Sequence, residues 1–340
     1  MNLHATSITA RYRRRVHRKM LLMAGLTTAG LFLAMIALTH GAYELNPMRV
    51  VQALTGNAQG TSGVVIWNIR LPRIIAAVVV GWGLSLSGLS IQSILKNPLG
   101  SPSTLGISQG AAFGAAASVV LFGARVLSTT AAAFAGAMAA TLVILVLARL
   151  RRLSPESVIL AGVAMSSLFA SATVLIQYVV TETQLAAIVF WTFGDVARSG
   201  WREIGLLSGA VVLTSVYLTV LRWDLNALAS GEDTAKGLGV HVERVRIQGM
   251  AAAALVAALA TAFHGVIAFV GLIAPHMARR LAGEDHRLLV PFSAVLGAIL
   301  LLAADTVGRI LIGSGGLPVG VVTSFLGAPM FLYLLLRGYR

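Results

Sequence analysis

The sequence predicts an all-α, polytopic membrane protein with about ten transmembrane helices. Of its 340 residues, 57% are hydrophobic and only 11% are charged, and the mean hydropathy is +0.85. A soluble domain typically has about 25% charged residues. The apolar residues also come in repeated, largely uncharged runs of about 20 residues, the length that a helix needs to cross the hydrocarbon core of a bilayer.

Ten apolar runs can be placed along the chain. A cleaved signal peptide is the alternative for the first run, but this run is long and no clear small-residue cleavage site follows it. The eighth run is short for a full crossing, so we expect broken or re-entrant backbone around Gly265 and Gly271. The predicted spans are approximately residues 20–42, 73–95, 105–124, 127–149, 157–180, 201–221, 246–264, 267–281, 288–308 and 318–337.

The distribution of Lys and Arg predicts how the spans face. We divide the chain into a basic cytoplasmic arm, residues 1–19, and one transmembrane domain, residues 20–340. This arrangement puts 19 of the 26 basic side chains on the inner side, an excess that the positive-inside rule predicts. We therefore expect a multi-pass protein of the cell (inner or plasma) membrane with both termini in the cytoplasm. The basic residues assigned to the outer side are Arg49, Arg70, Arg73, Arg125, Arg198, Arg202 and Arg309.

Composition argues against several other classes of protein. There is no cysteine, which excludes disulfides, thiolate metal sites and thiol catalysis. The formal net charge is +14, but the basic residues are scattered between apolar runs, so we expect lipid and not nucleic acid as the partner. The seven histidines lack zinc-type spacing, and we expect no metal and no bound cofactor.

One stretch matches a catalytic motif. Residues Gly106 to Gly110 read G-x-S-x-G, the nucleophile elbow of hydrolases, which works only on a tight turn between a strand and a helix. Here the motif opens an apolar helix after a turn-forming segment, residues 97–102. We therefore expect no catalytic residue in this chain.

Small residues are frequent in the second and third spans, for example at Gly81, Ser85, Gly88 and Gly110. Such residues let helices approach closely in a bilayer, where lipid supplies no hydrophobic drive between them. We interpret them as packing positions of a tight bundle.

The last quarter of the chain carries the most specific pattern. Two long apolar runs flank a polar hinge, residues 283–287, and each follows a turn broken by Gly or Pro. The order of these segments resembles the permease subunits of ABC importers for iron-siderophores, haem and cobalamin, and the resemblance extends from about Trp67 to the C-terminus. It implies the type II importer fold and a homodimer. The implied partners are two cytoplasmic ABC ATPases, which bind the ATP, and a periplasmic or lipid-tethered solute-binding protein. Of the family's substrates we rank siderophores first, then haem, then cobalamin.

The longest polar interruption after the N-terminus runs from Arg222 to Arg246. A solvated loop is its plain interpretation, but apolar positions and glycine breaks favour two short helices at the membrane surface, able to dock on another protein. In the resembling family this position is the coupling region that contacts the ATPase. The residues that we assign to it by resemblance are Leu228, Gly231, Glu232, Ala235, Gly237, Leu238 and Gly239.

The chain lacks a phosphate-binding loop of its own, because none of its three lysines follows a glycine. Energy must come from a partner or from an ion gradient, so an ion-driven secondary transporter is the alternative. Ion coupling usually needs ionisable groups within the spans. Only Asp305 lies inside an apolar run, and Arg309, four residues later, is expected to pair with it.

Arg70 and Arg73 flank Pro72 just before the second span, on the side that is otherwise poor in cations. Anchoring to lipid phosphates is one interpretation. The family resemblance implies that these two arginines and Arg309 bind acidic side chains on the two lobes of the soluble binding protein. Bidentate guanidinium–carboxylate pairs suit that role because they orient as well as attract.

Overall fold

The computed structural model describes residues 2–41, 43, 45–56, 61–150, 154–198, 200–312 and 316–336. Within these ranges every regular element is a helix. The α-helices are α1 (Asn2–Thr39), α2 (Pro47–Leu54), α3 (Thr61–Val64), α4 (Leu71–Leu95), α5 (Ile107–Phe122), α6 (Val126–Leu150), α7 (Pro155–Val179), α8 (Glu182–Thr192), α9 (Trp201–Val220), α10 (Arg222–Ala229), α11 (Glu232–Gly237), α12 (Val242–His264), α13 (Val270–Ala282), α14 (His286–Ile312) and α15 (Val319–Leu336).

The predicted all-helical, polytopic architecture is confirmed. Among the described residues, seven helical stretches are long and apolar enough to cross a membrane; they are residues 10–39, 61–95, 126–150, 155–179, 201–220, 242–264 and 286–311. The stretch 61–95 is α3 and α4 joined by a π-helical turn, Val65–Arg70. α5 and α15 are shorter apolar helices. Together with α13 these elements follow the order of the ten predicted spans.

The eighth predicted span is a half-length helix. α13 has 13 residues, which at 1.5 Å per residue reach only about 20 Å. The chain before it is not helical, with positive φ angles at Gly265 (+77°) and Phe269 (+67°). The expected break is therefore present at Gly265, whereas Gly271 lies inside α13 and was wrongly placed at the break.

α8 was not among the predicted spans. It begins with a capping box, in which the hydroxyl of Thr181 accepts from the backbone of Gln184 and the Gln184 side chain accepts from the Thr181 amide. The Thr-x-x-Gln spacing before an apolar run is a helix-start signal. The 11 residues of α8 are too few to cross a bilayer, so α8 does not add a further span to the ten.

The N-terminal arm and the first span form one helix. α1 runs without interruption from Asn2 to Thr39, so the boundary predicted at residue 19 is not a break in structure. Near that boundary Lys19 Nζ donates to the carbonyl oxygen of Ala282 at 2.6 Å. A lysine at this position satisfies a carbonyl at the C-terminal end of α13, where a positive charge is also favoured by the helix dipole.

α4 is the central helix of the bundle. It is almost entirely buried and packs against α9, α12, α13 and α14. Three of its serine hydroxyls donate to backbone carbonyls of neighbouring helices: Ser85 to Ser293 at 2.7 Å, Ser87 to Ala253 at 2.7 Å and Ser90 to Gly249 at 3.0 Å. Small residues at these positions therefore both permit close approach and supply hydrogen bonds between helices.

α4 and α13 approach each other very closely at Gly88. A Cβ atom added to Gly88 would lie 1.8 Å from the carbonyl oxygen of Gly271. The three atoms nearest to it all belong to the Gly271 backbone, so no side-chain rotation could make room. Glycine at position 88 is thus required by the distance between the two helix axes.

Replacing Gly88 with alanine should lower the melting temperature of the purified permease in detergent. The new methyl group forces α4 and α13 apart, and overpacking of this kind typically costs about 1–3 kcal/mol. Gly209→Ala on α9 is the matched control, because no atom lies within 4 Å of the added Cβ there. Equal melting temperatures for the two variants would contradict the close α4–α13 contact.

Candidate functional sites at the two ends of the bundle

The three arginines assigned to docking of the binding protein, Arg70, Arg73 and Arg309, lie close together. Asp305 on α14 is fully buried and stands between two of them. Arg73 Nε donates to Asp305 Oδ1 at 2.9 Å, and Arg309 Nε lies 3.1 Å from Asp305 Oδ2. The pairing of Asp305 with Arg309, four residues apart on one helix, is confirmed.

The same cluster holds the end of α1. Arg70 is 5% exposed, and its guanidinium donates to the carbonyl oxygens of Leu38 and Tyr43. Arg309 donates to the carbonyl oxygen of Ala37 at 3.2 Å. The last carbonyls of a helix have no partner within that helix. Arg70, at the end of the π-helical turn, and Arg309 of α14 therefore satisfy groups that apolar surroundings would leave unpaired.

We call Arg70, Arg73, Arg309 and Asp305 the outer arginine cluster, after the side of the membrane on which the sequence predicts it. Asp195 adds a further carboxylate, 4.0 Å from Arg73. The side chains of Arg73 and Arg309 are only 15% and 10% exposed. The sequence-predicted residues are thus brought together, but their charged groups point largely into the protein. Their contacts join the ends of α1, α4 and α14, and their binding of a soluble partner stays a prediction.

At the other end of the bundle, the polar segment forms two short helices, α10 and α11, as the glycine breaks predict. Gly231 separates them with a φ angle of +133°. We call α10 and α11 the inner helix pair, after the side of the membrane on which the sequence predicts them. Leu228 and Ala235 are fully buried against the protein's own bundle. Part of the apolar face that was expected to dock on a partner therefore anchors the pair.

The outward surface of the inner helix pair is formed by other residues. Leu238 is 70% exposed and Trp223 is 65% exposed. Gly237 and Gly239 border open space, and Gly239 has a φ angle of +85° that ends the pair in a turn. The side of the segment that carries Leu238 and Trp223 faces away from the protein's own bundle.

An ion-pair network fixes α11 to the bundle. Glu232 Oε2 lies 2.7 Å from the Arg246 guanidinium, and Glu232 Oε1 lies 3.0 Å from Lys236 Nζ. Hydrogen bonds from Lys236 and Arg246 lower the pKa of the Glu232 carboxyl. Because this pKa is lowered, the pairs stabilise the segment above the ordinary carboxyl range and are lost as the pH falls through the lowered pKa. At neutral pH the network is intact.

Sequence reasoning missed a second set of inner-end residues. Asn226 of α10 bonds to Asp285 and His286 in the polar hinge, and His286 bonds to Ser93 of α4. The available signal was the hinge itself, because its polar residues stand directly before a long apolar helix. The spatial match with α10 could not be read from spacing along the chain.

The hydrolase-like motif does not have the geometry of a nucleophile elbow. Gly106 precedes α5 with a φ angle of +76°, and the residues before it form turns. Ser108 lies in the first turn of α5 and is 4% exposed. The elbow needs a strand leading into the turn, and residues 96–106 provide none.

These features define a class of protein: a polytopic helical membrane protein with an anchored helix pair at one end of the bundle. The chain belongs to the FecCD transport family, whose family model matches residues 7–337. The match therefore includes both ends of the bundle and the inner helix pair.

Two relatives show how far the similarity extends. The chain is 50% identical over 323 residues to the ABC transporter permease protein MJ0087 of Methanocaldococcus jannaschii, covering 91% of this chain and 93% of the relative. It is 38% identical over 276 residues to the vitamin B12 import system permease protein BtuC of Vibrio cholerae, covering 81% and 83%. This chain is thus a permease subunit of the ABC importer class.

A solved structure confirms the fold. It describes an inward-facing conformation of a metal-chelate type ABC transporter and matches with a TM-score of 0.82 and 33% sequence identity. The alignment covers 94% of this chain and 100% of the other. The predicted type II importer permease fold agrees with this match.

Replacing Asp305 with alanine should lower the melting temperature strongly, because it leaves Arg73 and Arg309 close together without their shared counter-ion. Removing one partner of a buried ion pair typically costs about 3–5 kcal/mol. Asp233→Ala, at an exposed carboxylate of α11, is the control and should leave the melting temperature unchanged. A similar result for both variants would contradict a structural role of the outer arginine cluster.

Proposed function

We propose that two copies of this permease form the import path for an iron chelate, driven by two cytoplasmic ABC ATPases. A periplasmic or lipid-tethered solute-binding protein delivers the substrate to the outer end. The relative from Vibrio cholerae is named as a vitamin B12 import permease, and the solved structure is named as a metal-chelate type transporter. These names support a metal held in an organic ligand as the substrate class. Within it we rank siderophores first, then haem and cobalamin.

The observation that carries the proposal is the inner helix pair. It is short, anchored to the bundle by buried Leu228 and Ala235, and exposes Leu238 and Trp223. Because the pair is anchored, a partner that binds its exposed side can displace it as a folded unit, and the bundle to which it is attached moves with it. These properties support α10 and α11 as the contact for the ATPases, and the whole system uses the energy of ATP bound by those partners.

An apolar cavity supports a path between two copies. It has a volume of about 250 Å³ and lies between the end of α8, the non-helical segment before α13 and the start of α15. Phe325 on α15 borders it and is 78% exposed. A second copy packed against α15 would cover this side chain and enclose the cavity, and the substrate would then pass along the interface of the homodimer.

Ion-gradient coupling is less well supported. Asp305, the acid in an apolar run, is held by Arg73 and Arg309. These two ion pairs account for the buried carboxylate through its packing partners, so its presence in an apolar run does not require a role in ion transport. No observation on the described residues favours the secondary-transporter alternative.

Leu238→Asp should abolish ATP-driven uptake in proteoliposomes, because it places a charge on the apolar contact with the ATPase. Leu238 is largely exposed, so the variant should insert and melt like the wild type. Leu228→Asp is the contrasting change: Leu228 is fully buried, and this variant should lose stability as well as transport. Copurification with the ATPase, melting temperature and uptake are measured for each protein.

Two results would overturn the proposed energy source. One is unchanged ATPase binding and uptake in Leu238→Asp. The other is uptake by the permease alone in vesicles with a pH or sodium gradient and without any ATPase.

Changing Arg70, Arg73 and Arg309 together to glutamate should weaken binding of the loaded solute-binding protein to the permease in nanodiscs. Each arginine is at most 15% exposed and offers only part of its charge to a partner, so a single change should weaken binding less than the three changes together. Screening acts over about 10 Å at 0.1 M salt, so the loss should shrink at high salt. Arg125→Glu, at an exposed outer arginine outside the cluster, is the control and should keep wild-type affinity.

Because the cluster also holds α1, α4 and α14 together, melting temperature is measured for the same variants. A lower melting temperature with unchanged affinity at both salt concentrations would assign these arginines to internal structure and reject the docking role.

A further inference from the structure

A chain of hydrogen bonds leads from the inner helix pair into the buried core. Asn226 Oδ1 of α10 accepts from the backbone amide of His286 at 2.9 Å and lies 2.7 Å from His286 Nδ1. On its other side, His286 Nε2 lies 2.7 Å from Ser93 Oγ. His286 is the first residue of α14 and Ser93 belongs to the last turns of α4. The chain therefore joins α10, α14 and α4.

The direction of every bond in this chain can be assigned. Asn226 Nδ2 donates to Asp285 Oδ1 at 3.0 Å, which leaves the amide oxygen facing His286. The amide oxygen of Asn226 can only accept, so His286 Nδ1 carries the proton. Nε2 of the neutral ring then accepts from the Ser93 hydroxyl. Each donor has one acceptor, and the imidazole has a single orientation that serves both neighbours.

The chain is shielded from water at its centre. His286 is 4% exposed and Ser93 is 9% exposed. A broken bond at this depth is poorly replaced by solvent, because a buried polar group left without a partner costs more than the bond contributed. The ion pair between Glu232 and Arg246 also holds the inner helix pair. Its carboxylate is 37% exposed, so water can partly replace this interaction when it is broken.

The inner end of α4 is also bonded to α13. Gln92 Nε2 donates to the carbonyl oxygen of Gly271 at 3.2 Å, and Arg279 donates to Gln92 Oε1. A cavity of about 310 Å³ lies beside these groups and reaches the end of α10. The hydrogen-bonded chain thus borders open space, which is lined on the α10 side by Ala229.

We propose that Asn226 and His286 are positioning residues that transmit the movement of the inner helix pair to α4 and α14. Apolar contacts such as that of Leu228 can slide, whereas the hydrogen bonds are directional and fix the distance between α10 and the start of α14. A displaced α10 must therefore carry His286 and Ser93 with it. The inference rests on the proposed function, because it needs an ATPase that moves α10.

The test is the number of substrate molecules imported per ATP hydrolysed by the complete complex in proteoliposomes. Asn226→Leu keeps the size of the side chain and removes its hydrogen bonds. The complex should assemble and hydrolyse ATP at close to the wild-type rate, while uptake per ATP falls about tenfold, equivalent to roughly 1.4 kcal/mol of coupling. His286→Leu should behave alike, and His286→Gln, which can donate and accept, should recover part of the loss.

The controls separate coupling from stability. Asp233→Ala changes an exposed side chain of α11 that takes no part in the hydrogen-bonded chain, and it should keep the wild-type ratio. Ser93→Ala removes the far end of the chain without touching the pair, so it decides the question if Asn226→Leu does not fold. A purely structural role would lower the amount of folded complex but leave uptake per ATP unchanged, and that result would overturn the inference. Wild-type complex that shows no ATP-driven uptake would instead reject the proposed function.

Discussion

The burial of α4 is the constraint on which the rest of the structure depends. In a bilayer, lipid tails solvate apolar side chains as well as protein does, so helices associate through close packing and hydrogen bonds. α4 meets this condition with glycine and serine: Gly88 approaches the α13 backbone, and three serines bond to neighbouring carbonyls. A central helix rich in leucine would have no comparable reason to be surrounded by α9, α12, α13 and α14.

The two ends of the bundle solve a different problem, because helix ends there carry unpaired backbone groups and charge. At the outer end, Arg70 and Arg309 bond to carbonyls at the end of α1, and Arg73 and Arg309 share Asp305. At the inner end, neutral groups such as Asn226 and Ser93 dominate near the core, and ion pairs lie further out. A buried ionic cluster resists displacement, since separating its members leaves an unpaired charge, whereas the neutral hydrogen bonds at the inner end join helices that can move as a unit without separating charges.

Much of this architecture could be predicted from the sequence. The apolar runs predicted the spans because the thickness of the bilayer sets their length. The spacing of Asp305 and Arg309 predicted their contact because one helix carries both residues. The inward orientation of Arg70 could not be predicted, since it depends on where α1 ends in space. The link from Asn226 to His286, 60 residues apart, likewise depends on tertiary packing. α8 was missed because a capped helix of 11 residues does not have the length of a span.

α1 is mostly exposed along its middle and is bonded near both ends, through Lys19 to α13 and through Ala37 to Arg309. These two attachment points are 18 residues apart, which in a helix corresponds to about 27 Å. That length is close to the hydrocarbon thickness of a bilayer, about 30 Å. The two attachments of α1 therefore lie about one hydrocarbon thickness apart along the helix. In a much thicker or thinner bilayer, the lipid next to α1 must deform, or one of the two attachments must stretch, at a cost that grows with each ångström of mismatch.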